Sequence, residues 1–208
     1  MDPSWKHPFT SIIAGPTGSG KTYFVERFIT NINQMMTPSP QEIIWCYGEW
    51  QLCYEKLRER GVIFHEGLPN ISEWIGGKRR LVIFDDLMIE ADERILSLFV
   101  KGSHHRDISV LYLVQNLFGK NKIQRTLSLN SHYIVVFKNP RDKAQILCLG
   151  RQMYPNQNRY VSEAFKNATE SAHGYLLFDL KQSTPDELRL RTNIFPGEEH
   201  TVYIPKKD

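Results

Sequence analysis

The sequence has few cysteines and no long apolar run. Its three cysteines, Cys46, Cys53 and Cys148, form no C-x-x-C pair and are odd in number, which argues against a disulfide framework and favours a reducing compartment. No stretch approaches the roughly 18 apolar residues of a membrane-spanning helix, and the N-terminal residues carry no apolar signal segment. We therefore expect a soluble protein that is not secreted and has no membrane partner.

The chain also lacks a strong charge of either sign, an internal repeat and a low-complexity segment. Hydrophobic residues make up 41% of its 208 residues and charged residues 24%, which are ordinary globular values. A net charge of +3 does not by itself indicate a nucleic-acid partner. The composition predicts one domain over residues 1–208, with a core at about 9–195 and a C-terminal tail at 196–208.

The clearest motif is a glycine-rich stretch near the N-terminus. It matches the phosphate-binding pattern G-x-x-x-x-G-K-[ST] at every fixed position, as Gly15-Pro16-Thr17-Gly18-Ser19-Gly20-Lys21-Thr22. Glycines leave backbone N–H groups open to a phosphate, Lys21 reaches the β- and γ-phosphates, and Thr22 is placed to ligate Mg²⁺. The alternative is a chance glycine-rich turn.

The residues on both sides of this loop argue against a chance match. A short apolar run precedes it, and apolar side chains recur at helical spacing after it, at Phe24, Val25, Phe28, Ile29 and Ile32. A helix that begins at the loop directs the positive end of its dipole at the phosphates. The sequence therefore predicts a strand, a phosphate-binding loop and a helix.

A second motif, two adjacent acids, follows the first by roughly 65 residues. The apolar run at 81–84 reads as a strand buried on both faces of a parallel sheet, and Asp85 and Asp86 end it. The carboxyl ends of such strands bind ligands in α/β folds. Asp85 is placed to hold Mg²⁺ through its water shell, and Asp86 to orient or deprotonate an attacking water. Alternatively, Asp86 is the N-cap of the following segment.

Two further polar features follow along the chain. A strand predicted at 108–114 ends in Gln115, whose amide could contact the γ-phosphate and the attacking water, or could simply cap the strand. Residues 119–130 carry Lys120, Lys122 and Arg125, spaced to share a helix face or loop, for which a solvated surface is the default interpretation. No Cys/His spacing suggests a metal site other than Mg²⁺ with nucleotide.

Strands alternate with helices over the first 150 residues, which predicts a mainly parallel sheet with helices on both faces. Two alternating runs at 175–180 and 188–195 predict antiparallel strands at the sheet edge, in the C-terminal part. Other strands are expected at 41–47, 62–65, 132–137 and 202–204, and helices at 50–60, 71–75, 91–101, 144–153 and 161–169.

A phosphate loop, an acid pair and a strand-end glutamine, in this order, favour ATP hydrolysis over other P-loop chemistry. A nucleotide kinase would need an arginine-rich lid, and a GTPase an Asn/Thr-Lys-x-Asp base reader; neither signature is present. A small-molecule or nucleotide kinase nevertheless stays an alternative because its size fits. A nucleotide-dependent binding protein with weak hydrolysis is another.

The chain resembles the genome-packaging ATPases of the FtsK/HerA superfamily, which are P-loop NTPases of the ASCE, RecA-like type. The likeness runs from about Thr10 to Phe195 and is carried by GPTGSGKT, LVIFDD, the strand VLYLVQNLF after GSHHRDIS, and FKNPRDKAQI. It is greatest to the ATPases of Maverick/Polinton elements and related double-stranded DNA viruses, of which the poxvirus packaging ATPase is a distant member. The first two motifs are shared widely, whereas the last two are narrower.

This resemblance implies a homopentameric or homohexameric ring that uses ATP and Mg²⁺ to move double-stranded DNA into a capsid at its portal vertex. Lys21 and Thr22 match the phosphate and Mg²⁺ residues, Asp85 and Asp86 the acid pair, and Gln115 the sensor. Many family members have Glu where this chain has Asp86, which is one methylene shorter. The implied location is the host cell, in the nucleus or a cytoplasmic factory, and the virion.

A ring motor also needs an arginine from a neighbouring subunit to stabilise charge on the γ-phosphate. Arg106 is the candidate because it precedes the strand that ends at Gln115; Arg141 and Arg125 are reserves, and a surface salt bridge is the alternative for each. Contact with DNA would be made to its phosphate backbone, and Lys120, Lys122 and Arg125 are the candidates. A helicase or other remodelling ATPase on the same engine is the alternative to a packaging motor.

Overall fold

The computed structural model describes residues 4–70, 74, 77–87, 93–102, 106–118, 122–155 and 157–205. The strands are β1 (Trp5–Lys6), β2 (Thr10–Ala14), β3 (Met36–Thr37), β4 (Glu42–Tyr47), β5 (Ile63–Glu66), β6 (Arg80–Asp85), β7 (Ile108–Val114), β8 (Tyr133–Phe137), β9 (Tyr175–Asp179), β10 (Leu190–Thr192) and β11 (Thr201–Tyr203). The α-helices are α1 (Lys21–Thr30), α2 (Ile32–Met35), α3 (Tyr54–Arg58), α4 (Glu93–Ser97), α5 (Lys122–Leu129), α6 (Ala144–Met153) and α7 (Asn158–Ala168).

Nine strands of the described residues form one sheet in the order β11-β10-β9-β8-β2-β7-β6-β4-β5. Every pair from β8 to β5 is parallel. The pairs from β8 to β11 are antiparallel and extend the sheet on the other side. The prediction of a mainly parallel sheet with antiparallel strands in the C-terminal part is confirmed.

The sheet is buried on both faces because its central strands are apolar at nearly every position. Along β2, Ile12 belongs to one hydrophobic cluster and Ile13 to the other, as expected for side chains that alternate between faces. Helix α1 covers the second cluster with the side chains that the helical spacing predicted, Phe24, Val25, Phe28 and Ile29. Helices α6 and α7 cover the first.

Several predicted elements differ from the observed ones. The strand expected at 188–195 is limited to β10 because Asn193 takes a left-handed backbone with φ 52°, which ends extended pairing. The helix expected at 50–60 is shortened to α3 by a turn over 52–53. The helix expected at 91–101 continues past α4 in the π form over Leu98–Gly102. The helix expected at 71–75 lies almost wholly outside the described residues.

The strand order determines which loops meet. Strand β2 lies between β8 and β7, and β7 separates β2 from β6. Because these strands are parallel, the segments that follow β2, β6 and β7 leave the sheet at the same edge. The glycine-rich loop follows β2, Asp85 ends β6 with Asp86 next to it, and Gln115 follows β7. The fold therefore brings together motifs that are far apart in sequence.

Candidate nucleotide-binding site

The glycine-rich loop connects β2 directly to the first residue of α1. Gly20 has φ 108°, a conformation that suits glycine, and the next residue, Lys21, begins the helix. The Lys21 ammonium bends back over the loop and donates hydrogen bonds to the carbonyl oxygens of Gly15 at 2.7 Å and Pro16 at 3.1 Å. A phosphate accepted by this loop would exchange for those two carbonyl partners.

Thr22 and Asp85 lie side by side below this loop. The Thr22 hydroxyl donates to Asp85 Oδ2 at 3.4 Å, although 62 residues separate the two in sequence. The same carboxylate oxygen accepts a hydrogen bond of 2.9 Å from the Tyr54 hydroxyl. Asp85 is only 3% exposed, so water does little to stabilise its charge. The Thr22 and Tyr54 hydroxyls and the nearby Lys21 ammonium stabilise it instead.

Burial shifts the pKa values of Asp85 and Lys21 in opposite directions, and the charge of each group opposes the shift of the other. Burial raises the pKa of the Asp85 carboxyl and the charge of Asp86 adds to this, whereas the Tyr54 hydrogen bond, the Lys21 charge and the Thr22 hydrogen bond lower it. Burial lowers the pKa of the Lys21 ammonium, against the attraction of Asp85 and Asp86. The cluster thus concentrates charge where solvent is scarce, as anion- and cation-binding sites require.

Asp86 follows β6 with a left-handed backbone, φ 46°, which only a few per cent of non-glycine residues adopt. Its carbonyl oxygen passes so close to Gly48 that a Cβ there would lie 2.5 Å away. Glycine after β4 is therefore what lets the backbone of Asp86 turn here. The alternative role of Asp86 as an N-cap concerns residues 88–92, which lie outside the described part of the chain.

Gln115 follows β7 directly and is exposed. Its side chain makes no hydrogen bond to any described residue. The residues just after it are instead held by Gln145. Gln145 accepts from the Leu117 N–H at 2.8 Å and donates to Asn116 Oδ1 at 3.4 Å. Among the described residues, no hydrogen bond engages Gln115 as a strand-end cap.

These residues line one cleft of about 520 Å³. It contains residues of the phosphate loop together with Thr22, Asp85, Asp86 and Gln115. The sequence did not single out three other residues of the neighbourhood: Gln51 and Gln124, which line the cleft, and Tyr54, which holds Asp85. None belongs to a motif, and only a contact map could have identified them.

Two oxygen atoms of this cleft are suitable ligands for Mg²⁺. A small hard cation takes oxygen ligands, usually one or two from the protein with water and phosphate oxygens completing the shell. Thr22 Oγ1 and Asp85 Oδ2 are two such oxygens, 3.4 Å apart, beside the loop that would hold the phosphates. Among the described residues, no group of three or more His, Cys, Asp or Glu side chains could hold a metal ion instead.

The predicted arginine and DNA contacts lie elsewhere. Arg106 precedes β7 at its amino-terminal end and Gln115 follows the other end, so the length of this seven-residue strand, roughly 23 Å at about 3.3 Å per residue, lies between them within one chain. Lys122 and Arg125 are exposed on α5, the helix that also directs Gln124 into the cleft. Lys120 lies outside the described residues.

No helix among the described residues is long and apolar enough to cross a membrane.

Comparison with solved structures identifies the fold. The genome packaging NTPase B204 from Sulfolobus turreted icosahedral virus 2, solved in complex with ATP-gammaS, is similar with a TM-score of 0.54 and 13% identity, over 99% of each chain. The assembled ATPase EscN of the enteropathogenic E. coli type III secretion system gives a TM-score of 0.40 and 10% identity, over 62% of this chain and 42% of that one. No protein-family model and no curated protein matches the sequence. With the loop, the strand order and the acid pair, the chain has a P-loop NTPase fold.

Proposed function

We propose that this protein is an ATP-hydrolysing ring motor that translocates double-stranded DNA into a viral capsid. The observation that carries the proposal is the convergence of Lys21, Thr22, Asp85, Asp86 and Gln115 on one cleft. The similar fold of a viral genome-packaging NTPase, over 99% of both chains, supports the biological role. In this proposal the FtsK/HerA superfamily, and within it the Maverick/Polinton group, is the family of origin, and the ring has five or six subunits.

The proposed chemistry is attack of water on the γ-phosphorus of ATP. The bond to the β–γ bridging oxygen breaks, ADP and phosphate form, and the proton of the attacking water passes to Asp86 before it leaves with the products. Gln115 orients the water, because its amide offers both a donor and an acceptor at the mouth of the cleft. Lys21 neutralises charge on the β- and γ-phosphates once it leaves the loop carbonyls.

Thr22 and Asp85 would hold the Mg²⁺ that accompanies the nucleotide, and the ion would supply charge neutralisation at the phosphate oxygens. Asp85 contributes to this as the ionised carboxylate. Tyr54 favours that form, because its hydroxyl donates to Asp85 Oδ2 and lowers the pKa of the carboxyl.

Two substitutions separate binding from hydrolysis. Lys21→Ala should lose ATP binding, since the loop then has no cation for the β- and γ-phosphates. Asp86→Asn should bind ATP with nearly unchanged affinity and lose turnover by roughly 10²-fold or more, as expected for removal of a general base. Calorimetric titration with ATP and steady-state phosphate release measure the two effects.

Equal loss of ATP binding in both variants would contradict the assigned roles. Retained function of Asp86→Asn with unchanged ATP binding would identify a nucleotide-dependent binding protein instead. Transfer of the γ-phosphoryl group to a small acceptor, with no response to DNA, would identify a kinase. Separation of duplex strands would identify a helicase with the same P-loop NTPase fold.

A further inference from the structure

A second cavity, of about 290 Å³, opens on the other side of the phosphate loop. It shares Gly20 and Tyr23 with the cleft described above, but neither Asp85 nor Asp86 borders it. Its walls come from α1, the end of α7 and strands β9 to β11, whereas the acids follow β6 on the opposite side of β2. Its volume is near the lower end of ligand pockets, roughly 300–1,000 Å³.

This cavity lies where the nucleoside of a bound nucleotide would lie. Asp85, Asp86 and Gln115 mark the end where the γ-phosphate must lie in the proposed reaction. The nucleoside must then leave the loop at its other end. Gly20 lies at that end and borders both cavities. A Cβ on Gly20 would lie only 3.1 Å from the His173 ring, so the absence of a side chain lets the loop approach His173 closely.

Tyr23 is the aromatic residue that borders both cavities. Its ring is 57% exposed, although its neighbours on α1, Phe24 and Phe28, are both buried. The fold does not use this ring as core. An exposed ring beside a phosphate-binding loop provides a flat surface on which a base can stack.

Asn193 lies on the far wall of the cavity. Its backbone is left-handed, its side chain is exposed, and the amide makes no hydrogen bond to any residue that the structure describes. An asparagine amide offers one donor and one acceptor side by side. That pair matches N7 and the N6 amino group of adenine, whereas guanine presents two acceptors at the equivalent edge.

Several side chains that line this cavity contact one another. The Arg27 guanidinium lies 4.1 Å from the centre of the Phe195 ring and forms an ion pair of 2.6 Å with Glu198. The Tyr203 hydroxyl donates to Asn167 Oδ1 at 2.7 Å. The first contact joins α1 to the segment after β10, and the second joins β11 to α7.

We propose that this second cavity receives the adenine base of the bound nucleotide, which stacks on Tyr23 and presents its amino edge to Asn193. The proposal rests on the proposed function, because it requires a nucleotide whose phosphates occupy the loop. It assigns base selectivity to the segment from α7 to β11 rather than to the phosphate loop.

The test compares ATP, GTP and inorganic tripolyphosphate by calorimetric titration of the full chain. Tyr23→Ala should weaken ATP binding about tenfold and leave tripolyphosphate binding unchanged, whereas Tyr23→Phe should bind ATP as the unaltered protein does. Asn193→Gly, which tolerates the left-handed backbone, should reduce the preference for ATP over GTP to about onefold. Lys21→Ala should weaken both ATP and tripolyphosphate.

The outcomes distinguish the two proposals. If the unaltered protein binds neither ATP nor tripolyphosphate, the proposed function fails. If it binds ATP but Tyr23→Ala and Asn193→Gly leave ATP affinity and selectivity unchanged, or if Tyr23→Ala weakens tripolyphosphate equally, the base pocket is wrong. Photolabelling with 8-azido-ATP gives a second measurement: labelled peptides should contain Tyr23 or Asn193, and labelling confined to other peptides would overturn the assignment.

Discussion

At the scale of single residues, the least expected contact in the site is that of Tyr54 with Asp85. Tyr54 is fully buried between aromatic rings, with Trp45 and Phe64 centred 5.1 Å from it. Its hydroxyl reaches the same carboxylate oxygen as Thr22. Burial raises the pKa of Asp85, and the Tyr54 hydrogen bond opposes that effect. The Tyr54 hydroxyl thus positions this carboxylate oxygen and favours the ionised form of Asp85.

We predict that Tyr54→Phe moves the acid limb of the pH profile for ATP turnover to higher pH. Without the donor, the pKa of Asp85 rises further, so the ionised carboxylate is lost at a higher pH as the solution is acidified. Turnover should fall roughly tenfold at the acid end, the scale of a hydrogen bond to a charged group, and less at alkaline pH. Steady-state phosphate release from pH 5 to 9 measures the shift.

Tyr112→Phe is the matched control. Tyr112 is buried and lines the same cleft, but its hydroxyl makes no hydrogen bond to the described residues, so its removal should leave the pH profile in place. A profile that moves equally in both variants, or in neither, would show that the Tyr54 hydrogen bond does not act on Asp85.

At the scale of elements, α5 connects the cleft with an exposed basic face. Gln124 on this helix lines the cleft, while Lys122 and Arg125, three residues apart, are exposed on it. If the proposed function holds, this helix would contact the nucleotide site through one side chain and a polyanion through two cations. In the proposed function, this polyanion is the phosphate backbone of DNA.

We predict that the double substitution Lys122→Ala and Arg125→Ala weakens binding to duplex DNA while turnover without DNA is unchanged. If both side chains contact phosphates, the slope of log affinity against log salt should decrease in magnitude by about 2. Fluorescence anisotropy with labelled duplex DNA at several salt concentrations measures the slope.

The control removes the same charge from another helix. Lys56 and Arg58 are exposed on α3, at the other side of the sheet, and their replacement by alanine should leave the slope unchanged. Identical slopes for both double variants would contradict a role for α5 in DNA contact.

The same elements indicate how far the sequence could predict the structure. Strand β7 has the bounds that its apolar run predicted, because burial on both faces dictates that pattern. Helix α1 begins at the loop as predicted, but it ends at Thr30, before Ile32, which the helical spacing had included. Strand order was not predictable from spacing, since adjacency in a sheet depends on contacts between distant segments. The two-residue strands β1 and β3 are too short to show alternation. Tyr54 was missed because its role depends on a partner 31 residues away.

At the scale of the whole molecule, Arg106 is separated from the site of its own chain by the length of β7. Asp107, the next residue, accepts a hydrogen bond from the Arg80 N–H, which confirms that this segment lies at the amino-terminal edge of the sheet. If Arg106 acts in catalysis, it must therefore do so in the site of a neighbouring subunit.

We predict that two inactive variants complement each other. Arg106→Ala retains a complete cleft but provides no arginine, whereas Asp86→Asn retains the arginine but lacks the proposed base. Mixed rings contain interfaces where the arginine of one variant faces the intact cleft of the other, so ATP turnover should reappear on mixing. No recovery in mixtures whose assembly is verified by light scattering, or full activity of Arg106→Ala alone, would remove Arg106 from the mechanism.

The most direct test of a DNA-dependent ring motor is ATP hydrolysis by the purified protein, with and without double-stranded DNA, over a range of protein concentrations. A site completed by a neighbouring subunit should turn over faster per chain as concentration rises, and duplex DNA should increase turnover further. Asp86→Asn serves as the inactive control at every concentration. Turnover per chain that is independent of both protein concentration and DNA would contradict the account and indicate a self-contained monomeric phosphotransferase.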